Sequence, residues 1–304
     1  MTQEIIRPRR LLPGGTIGIA APASPFDQVL FGQGMAVMES RGYQTRCPDG
    51  VYARERYFAG GDRQRAELLG QLFTDPEVGA IICARGGFGS MRTLAHLDFD
   101  RIGQHPKVLV GFSDITALLN VLGDRCGLVG FHGPVVTSLA ETEARTVGSF
   151  FDAIASERLV DMVAPDGRTL VPGSVTAPLA GGNLTTLCHL TGTPFSPAFA
   201  GKILLLEDIN EAPYRIDRML SQMRMAGCFD DVAGLVLGAF SGCGSEDDLS
   251  AIVEDIFGPM AVPILSGLEV GHGPVNLTVP IGLTATLDAD GKRLFFHEPA
   301  TVLV

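Results

Sequence analysis

The sequence predicts an α/β protein of two domains. Through the N-terminal half, short apolar runs of strand type alternate with segments of helical periodicity, the pattern of βαβ units on a mostly parallel sheet. At 304 residues the chain exceeds the usual size of one domain. Hydrophobic residues make up 46% and charged residues 19%, the mix of a globular protein with a sizeable core.

Thr16 to Pro22 reads as the first buried strand, ended by Pro22 and Pro25. Apolar residues recur at helical spacing from Val29 to Arg41, with Gly42 as the cap. A strand is expected at Tyr43 to Cys47, a helix at Asp62 to Phe73 and a third strand at Val78 to Cys83. Arg85-Gly86-Gly87-Phe88-Gly89 follows that strand and opens a helix. It is not a dinucleotide fingerprint, because the third glycine position, counted from Gly87, holds Arg92. Its adjacent glycines leave backbone N–H groups at a strand end able to point at a ligand. Lys107 to Asn120 then reads as strand, sharp turn and helix, with Ser113 at the turn.

Leu128 to Pro134 is a further strand, and the first domain is expected to close by residue 140. Residues 141–172 are expected to connect the domains, with a helical stretch at Thr146 to Ile154, a polar turn at Ala164 to Arg168 and a boundary at Pro172-Gly173. Residues 173–304 form the second domain, with fewer clean βαβ units. Leu184 to Leu190 is a short helix and Lys202 to Asp208 a buried strand ending in two carboxylates. Tyr214 to Ala226 is a helix, Val232 to Phe240 a strand and Asp247 to Phe257 a helix. From Val279 the tail reads as short strands, with a hairpin turn at Asp290-Gly291.

A net charge of −11 argues against a nucleic-acid partner, which would want a basic face. Met1 to Arg10 is not followed by an apolar core of signal-peptide length, and no apolar run reaches the ~18 residues of a membrane span. The six cysteines are scattered without a C-x-x-C pair, which suits buried thiols in a reducing cytoplasm rather than a disulfide or zinc framework. A cytoplasmic location is therefore expected, with no metal.

In α/β proteins ligands bind beyond the carboxyl ends of strands, so Ser113 lies at the mouth of such a site. A serine hydroxyl becomes a nucleophile when a histidine, held by a third polar group, takes its proton. Among the six histidines, His272 has the context of a base, in a loop of glycines and proline from Gly271 to Thr278, with His132 second. Glu207 ends an apolar run, where an unpaired charge is costly and an imidazolium partner would relieve it. Asp208, Glu211 and Asp217 are rivals, although Asp208 would point to the opposite face, as a residue of the turn before the helix at Tyr214. Asp114 suits the first turn of the helix after the serine, and its backbone N–H suits an oxyanion hole with that of Gly86 or Gly87. The order Ser, Glu, His is that of α/β-hydrolases, but Ile115 stands where their nucleophile elbow has glycine.

Five motifs stand in order along the chain: Arg85-Gly86-Gly87-Phe88-Gly89, Gly111-Phe112-Ser113-Asp114, Gly181-Gly182-Asn183-Leu184, Leu205 to Glu211, and Gly271-His272 with Thr278 to Gly282. Together they resemble the LD-carboxypeptidases, the muramoyltetrapeptide carboxypeptidases of bacterial cell-wall recycling. The resemblance runs from about Thr16 to the C-terminal strands. It implies an N-terminal doubly wound α/β nucleophile domain and a smaller, β-rich C-terminal α/β domain. It implies a triad of Ser113, His272 and Glu207, with an oxyanion hole from the backbone of Gly86 or Gly87 and of Asp114. Arg85 and Asn183 are candidate substrate contacts. The implied substrate is a murein tetrapeptide that loses its terminal D-alanine, and the implied protein is a cytoplasmic homodimer without a cofactor. His272 is then expected to approach Ser113 with Glu207 behind the ring. A related branch cleaves peptide–nucleotide antibiotics of the microcin C type. The absence of tryptophan, and of a long insertion around residues 183–202, favours the recycling enzyme. A non-catalytic muropeptide-binding module is the alternative of another class.

Overall fold

The computed structural model describes residues 4–303. Met1–Gln3 and Val304, the ends of the N-terminal stretch and of the tail read above, lie outside them. In chain order the strands are β1 (Thr16–Ala20), β2 (Gln44–Arg46), β3 (Val78–Cys83), β4 (Val108–Gly111) and β5 (Gly130–His132). There follow β6 (Asp161–Val163), β7 (Arg168–Val171), β8 (Ser174–Asn183), β9 (Ile203–Ile209) and β10 (Gly234–Ser241). The last are β11 (Ile264–Ser266), β12 (Val279–Ile281), β13 (Thr284–Asp288) and β14 (Arg293–Phe296).

The chain divides into two compact units. The first comprises Met1–Arg158, Leu277–Gly282 and Pro299–Val304, and the second Leu159–Asn276 and Leu283–Glu298. This differs from the expected domains. Residues 141–172 are not a connection but are shared between the units. Helix Ala144–Ala155 buries Val147, Phe150, Phe151 and Ile154 in the first unit, where Phe151 stacks on Tyr43 at 5.2 Å. Such an apolar face makes a helix part of a core rather than a linker. The expected polar turn at Ala164 to Arg168 joins β6 to β7, and Gly173 lies between β7 and β8, all within the second unit.

The first unit holds a six-stranded sheet in the order β12-β5-β4-β3-β1-β2. All its pairs are parallel except β12 with β5, where Val279 faces His132 and Ile281 faces Gly130. The core strands β3 and β4 are almost wholly buried, as their unbroken apolar runs require. The second unit holds an eight-stranded mixed sheet, β6-β14-β13-β8-β9-β10-β11-β7. Its centre, β8 to β11, is parallel and its flanks are antiparallel. Helices Leu184–Leu190, Pro213–Met225 and Glu246–Phe257 bury Leu187, Ile216, Leu220 and Val253 in one cluster with Leu204, Leu206 and Leu235 of β9 and β10. The expected hairpin turn is present between β13 and β14, where Gly291 N–H donates to Asp288 Oδ1 at 2.9 Å.

Candidate active site

On the first unit, β4 delivers the nucleophile candidate. The strand ends at Gly111, and a side chain there would press on Ile115 at 2.8 Å, so glycine lets the following turn fold back closely. Ser113 adopts φ +62°, a left-handed conformation that costs a non-glycine residue about 1–3 kcal/mol. A 3₁₀ turn from Ser113 to Ile115 then leads into helix Thr116–Cys126. The strained backbone is what the sharp turn read from the sequence amounts to in three dimensions.

The Arg85–Gly89 loop after β3 lies against this turn. A Cβ on Gly86 would fall 2.9 Å from Ser113 Cβ and 3.4 Å from Asp114 N, so only a bare backbone fits there. Gly87 has φ +100°. Neither glycine N–H is taken up by a backbone or side-chain acceptor among the described residues. Asp114 stands in the first turn after the serine, as expected. Its buried carboxylate reaches sideways and accepts Ser90 N–H at 2.7 Å, joining the serine turn to the glycine loop. Burial pushes its pKa up, against the opposing hydrogen bonds from Ser90 and Gly89.

On the second unit, Glu207 lies in β9 with no solvent exposure. Its Oε2 lies 2.6 Å from His272 Nδ1 and accepts the His272 backbone N–H at 3.1 Å. A carboxylate so placed favours the tautomer with the proton on Nδ1, which leaves Nε2 as the basic nitrogen. Gly271, at φ +96°, has no room for a side chain, because a Cβ would fall 2.3 Å from Glu207 Oε2. Two residues without a role in the sequence reading pin this loop. Asn276 Oδ1 accepts Gly271 N–H at 2.9 Å, and Ser241 Oγ donates to His272 O at 2.6 Å. Asn276 lies in the His272 motif, but nothing local marks its amide as a loop clamp, and Ser241 is distant in sequence.

The rivals have other partners. Asp208 accepts from Asn183 Nδ2 at 3.0 Å and from Thr185 N and Oγ1 at 2.8 and 2.7 Å, on the face opposite Glu207. It therefore serves the helix beginning at Leu184, not the one near Tyr214. Asn183 is buried and caps that helix, with Oδ1 accepting Thr186 N–H at 3.0 Å. Both ends of its amide are thus engaged structurally. His132 is wholly buried, in register with Gly111. Arg85 is exposed, donates to Pro25 O at 3.0 Å and forms no ion pair among the described residues. No cluster of three potential metal ligands occurs among them either.

Residues 17–133 match the model of the LD-carboxypeptidase N-terminal domain, and residues 176–287 that of the LD-carboxypeptidase C-terminal domain. The chain belongs to the LD-carboxypeptidase family. Ser113 falls in the first matched region, and Glu207 and His272 in the second. The chain is 37% identical over 295 residues to the probable murein peptide carboxypeptidase of Bacillus subtilis, covering 94% of this chain and 92% of the relative. It is similar to the solved muramoyltetrapeptide carboxypeptidase of Oxalobacter formigenes, with a TM-score of 0.82, 32% identity and coverage of 93% and 99% of the two chains. The microcin C7 self-immunity protein MccF, solved with aspartyl sulfamoyl adenosine, shares the fold, with a TM-score of 0.90, 24% identity and coverage of 98% and 100%. The chain is thus a peptidase of this family with a two-unit α/β fold. No helix among the described residues is long and apolar enough to cross a membrane.

Proposed function

We propose that this protein is a serine carboxypeptidase that hydrolyses the L,D-peptide bond of murein tetrapeptides and releases terminal D-alanine in cell-wall recycling. The observation that carries the reading is the buried Glu207 carboxylate on His272 Nδ1, in a loop where Gly271 can only be glycine. That pair suits a general base whose ring is oriented and whose positive charge is compensated once it takes a proton.

In this mechanism His272 Nε2 removes the Ser113 hydroxyl proton while Oγ attacks the carbonyl of the diamino acid. The N–H groups of Gly86 or Gly87 and of Asp114 receive the oxyanion, each worth about 3–4 kcal/mol in the transition state. His272 then passes its proton to the leaving D-alanine nitrogen. Water, deprotonated by the same imidazole, releases the acyl-enzyme. Arg85, exposed at the start of that loop, is the candidate for the terminal carboxylate that distinguishes an exopeptidase substrate.

The relatives named for murein peptides support this substrate over an aminoacyl nucleotide, because they match at higher identity. Incubation with muramoyl tetrapeptide and detection of released alanine by mass tests it. Ser113→Ala is expected to lower kcat by on the order of 10⁴-fold or more. Release by the Ser113→Ala variant at the wild-type rate would refute the nucleophile. Cleavage of an aminoacyl sulfamoyl adenosine in place of the tetrapeptide would move the protein to the immunity branch.

A further inference from the structure

The strand order of the first unit reverses between β1 and β3, and ligands of doubly wound sheets bind beyond the carboxyl ends at such a reversal. The segments following these two strands are knitted into one surface. Ser24 N–H donates to Gly86 O at 3.3 Å, and Ser24 Oγ accepts Phe88 N–H at 3.1 Å. The buried Arg65 guanidinium donates to the carbonyls of Pro22, Gly60 and Gly89 and lies 5.0 Å from the Phe58 ring. On this base stands a tight turn in which Glu55 and Phe58 exchange both backbone hydrogen bonds at 3.0 Å. Its tip residue Arg56 is held at φ +55°, where glycine would be relaxed.

The strained turn presents Tyr57, 55% exposed, beside Phe88, 40% exposed, with ring centroids 6.3 Å apart. The Arg56 guanidinium lies 5.7 Å from the Tyr57 centroid and forms no ion pair among the described residues, in a chain of net charge −11. Two large exposed rings and an uncompensated cation, fixed at the crevice of the fold, are the parts of a ligand subsite.

Reach bounds which part of the ligand these rings can meet. Gly86 abuts Ser113, and Phe88 follows two residues later, at most about 7 Å along the chain. That span bounds how far the Phe88 ring can lie from the hydroxyl, and the Tyr57 ring stands beside it. The terminal carboxylate of a tetrapeptide is one residue, about 3.5 Å, from the scissile bond. The muramoyl ring lies three linked units away on the other side, about 10 Å or more. We propose that Tyr57 and Phe88 stack the apolar face of that amino sugar and that Arg56 receives a carboxylate of the adjoining stem peptide. The assignment rests on the murein reading above.

The test compares kcat/KM for muramoyl tetrapeptide and for the sugar-free tetrapeptide, in wild type, Tyr57→Ala, Tyr57→Leu and Phe88→Ala. Tyr214→Ala removes an exposed tyrosine of the second unit and serves as the control. Wild type and the control are expected to prefer the sugar-linked substrate by about tenfold. The Tyr57 and Phe88 variants are expected to bring the ratio toward one. Equal values in wild type, or an unaltered ratio in the variants, would overturn the subsite while leaving the murein reading intact. If neither substrate is cut, both fall. If the variants slow an aminoacyl sulfamoyl adenosine instead and keep the ratio, the rings stack a nucleobase and the sugar assignment is overturned.

Discussion

Gly271 carries no side chain because Glu207 Oε2 occupies the place where one would go. Gly271→Ala must displace either the carboxylate or the loop that holds His272, and it also meets a φ of +96°. Misplacement by about 1 Å costs on the order of 10²-fold in rate, so kcat/KM for alanine release is expected to fall by at least that much. A second residue-scale prediction concerns Asp62, which receives both Arg65 and Arg92. Burial raises its pKa, but the Arg92 hydrogen bond and the two guanidinium charges outweigh that and hold it below the usual 3.8. A depressed carboxyl pKa stabilises the fold above 3.8, and that contribution is lost as pH falls through the folded value. Asp62→Asn is therefore expected to lose about 2 kcal/mol at neutral pH, with the difference closing in acid, as pH-dependent melting would report. At this scale the sequence was informative where one residue type admits one chemistry. The buried carboxylate of Glu207 and the glycine-flanked His272 were legible on those grounds. The clamps Asn276 and Ser241 were not, because a hydrogen bond between distant segments leaves no local pattern.

Asp114 joins two elements, the serine turn after β4 and the glycine loop after β3. Asp114→Ala would leave a buried N–H on Ser90 without its acceptor, which costs about 1–3 kcal/mol. It would also release the loop that carries Gly86. A lowered melting temperature together with a lowered kcat is expected, and Asp114→Asn, whose amide oxygen can still accept, should restore part of both. Loss of stability without any change in kcat would show that the loop keeps its place unaided. Elements with apolar runs, such as β3 and β4, were readable almost to the residue, since burial on both faces demands such runs. Asp114 stands in the first turn that its sequence position implies, and only the neighbouring loop reveals its second role, as acceptor of the Ser90 N–H. Asn183, a candidate ligand contact from its place in a glycine motif, is also the cap of the helix that follows it.

At the scale of the whole molecule, the domain division was the least legible feature. Three residues, Val279–Ile281, decide where the tail goes, and their pairing with β5 depends on a partner more than a hundred positions earlier. Residues 1–158 alone would leave β5 as an unpaired edge, with the buried Phe131 and His132 on it. Such a fragment is expected to aggregate or melt well below the intact chain, and co-expression with a segment containing residues 277–304 should recover it in part. A soluble fragment with an unchanged melting temperature would show that the last strand is dispensable.

That edge strand also bears on how the protein is made. A ribosome ordinarily releases an N-terminal domain ready to fold while later segments are still being assembled. Here the sixth strand of the first sheet is translated after Asn276, the last residue of the second unit's main segment. The sheet bearing Ser113 thus stays one strand short during most of synthesis. That sheet is completed only once the main segment of the second unit has been made.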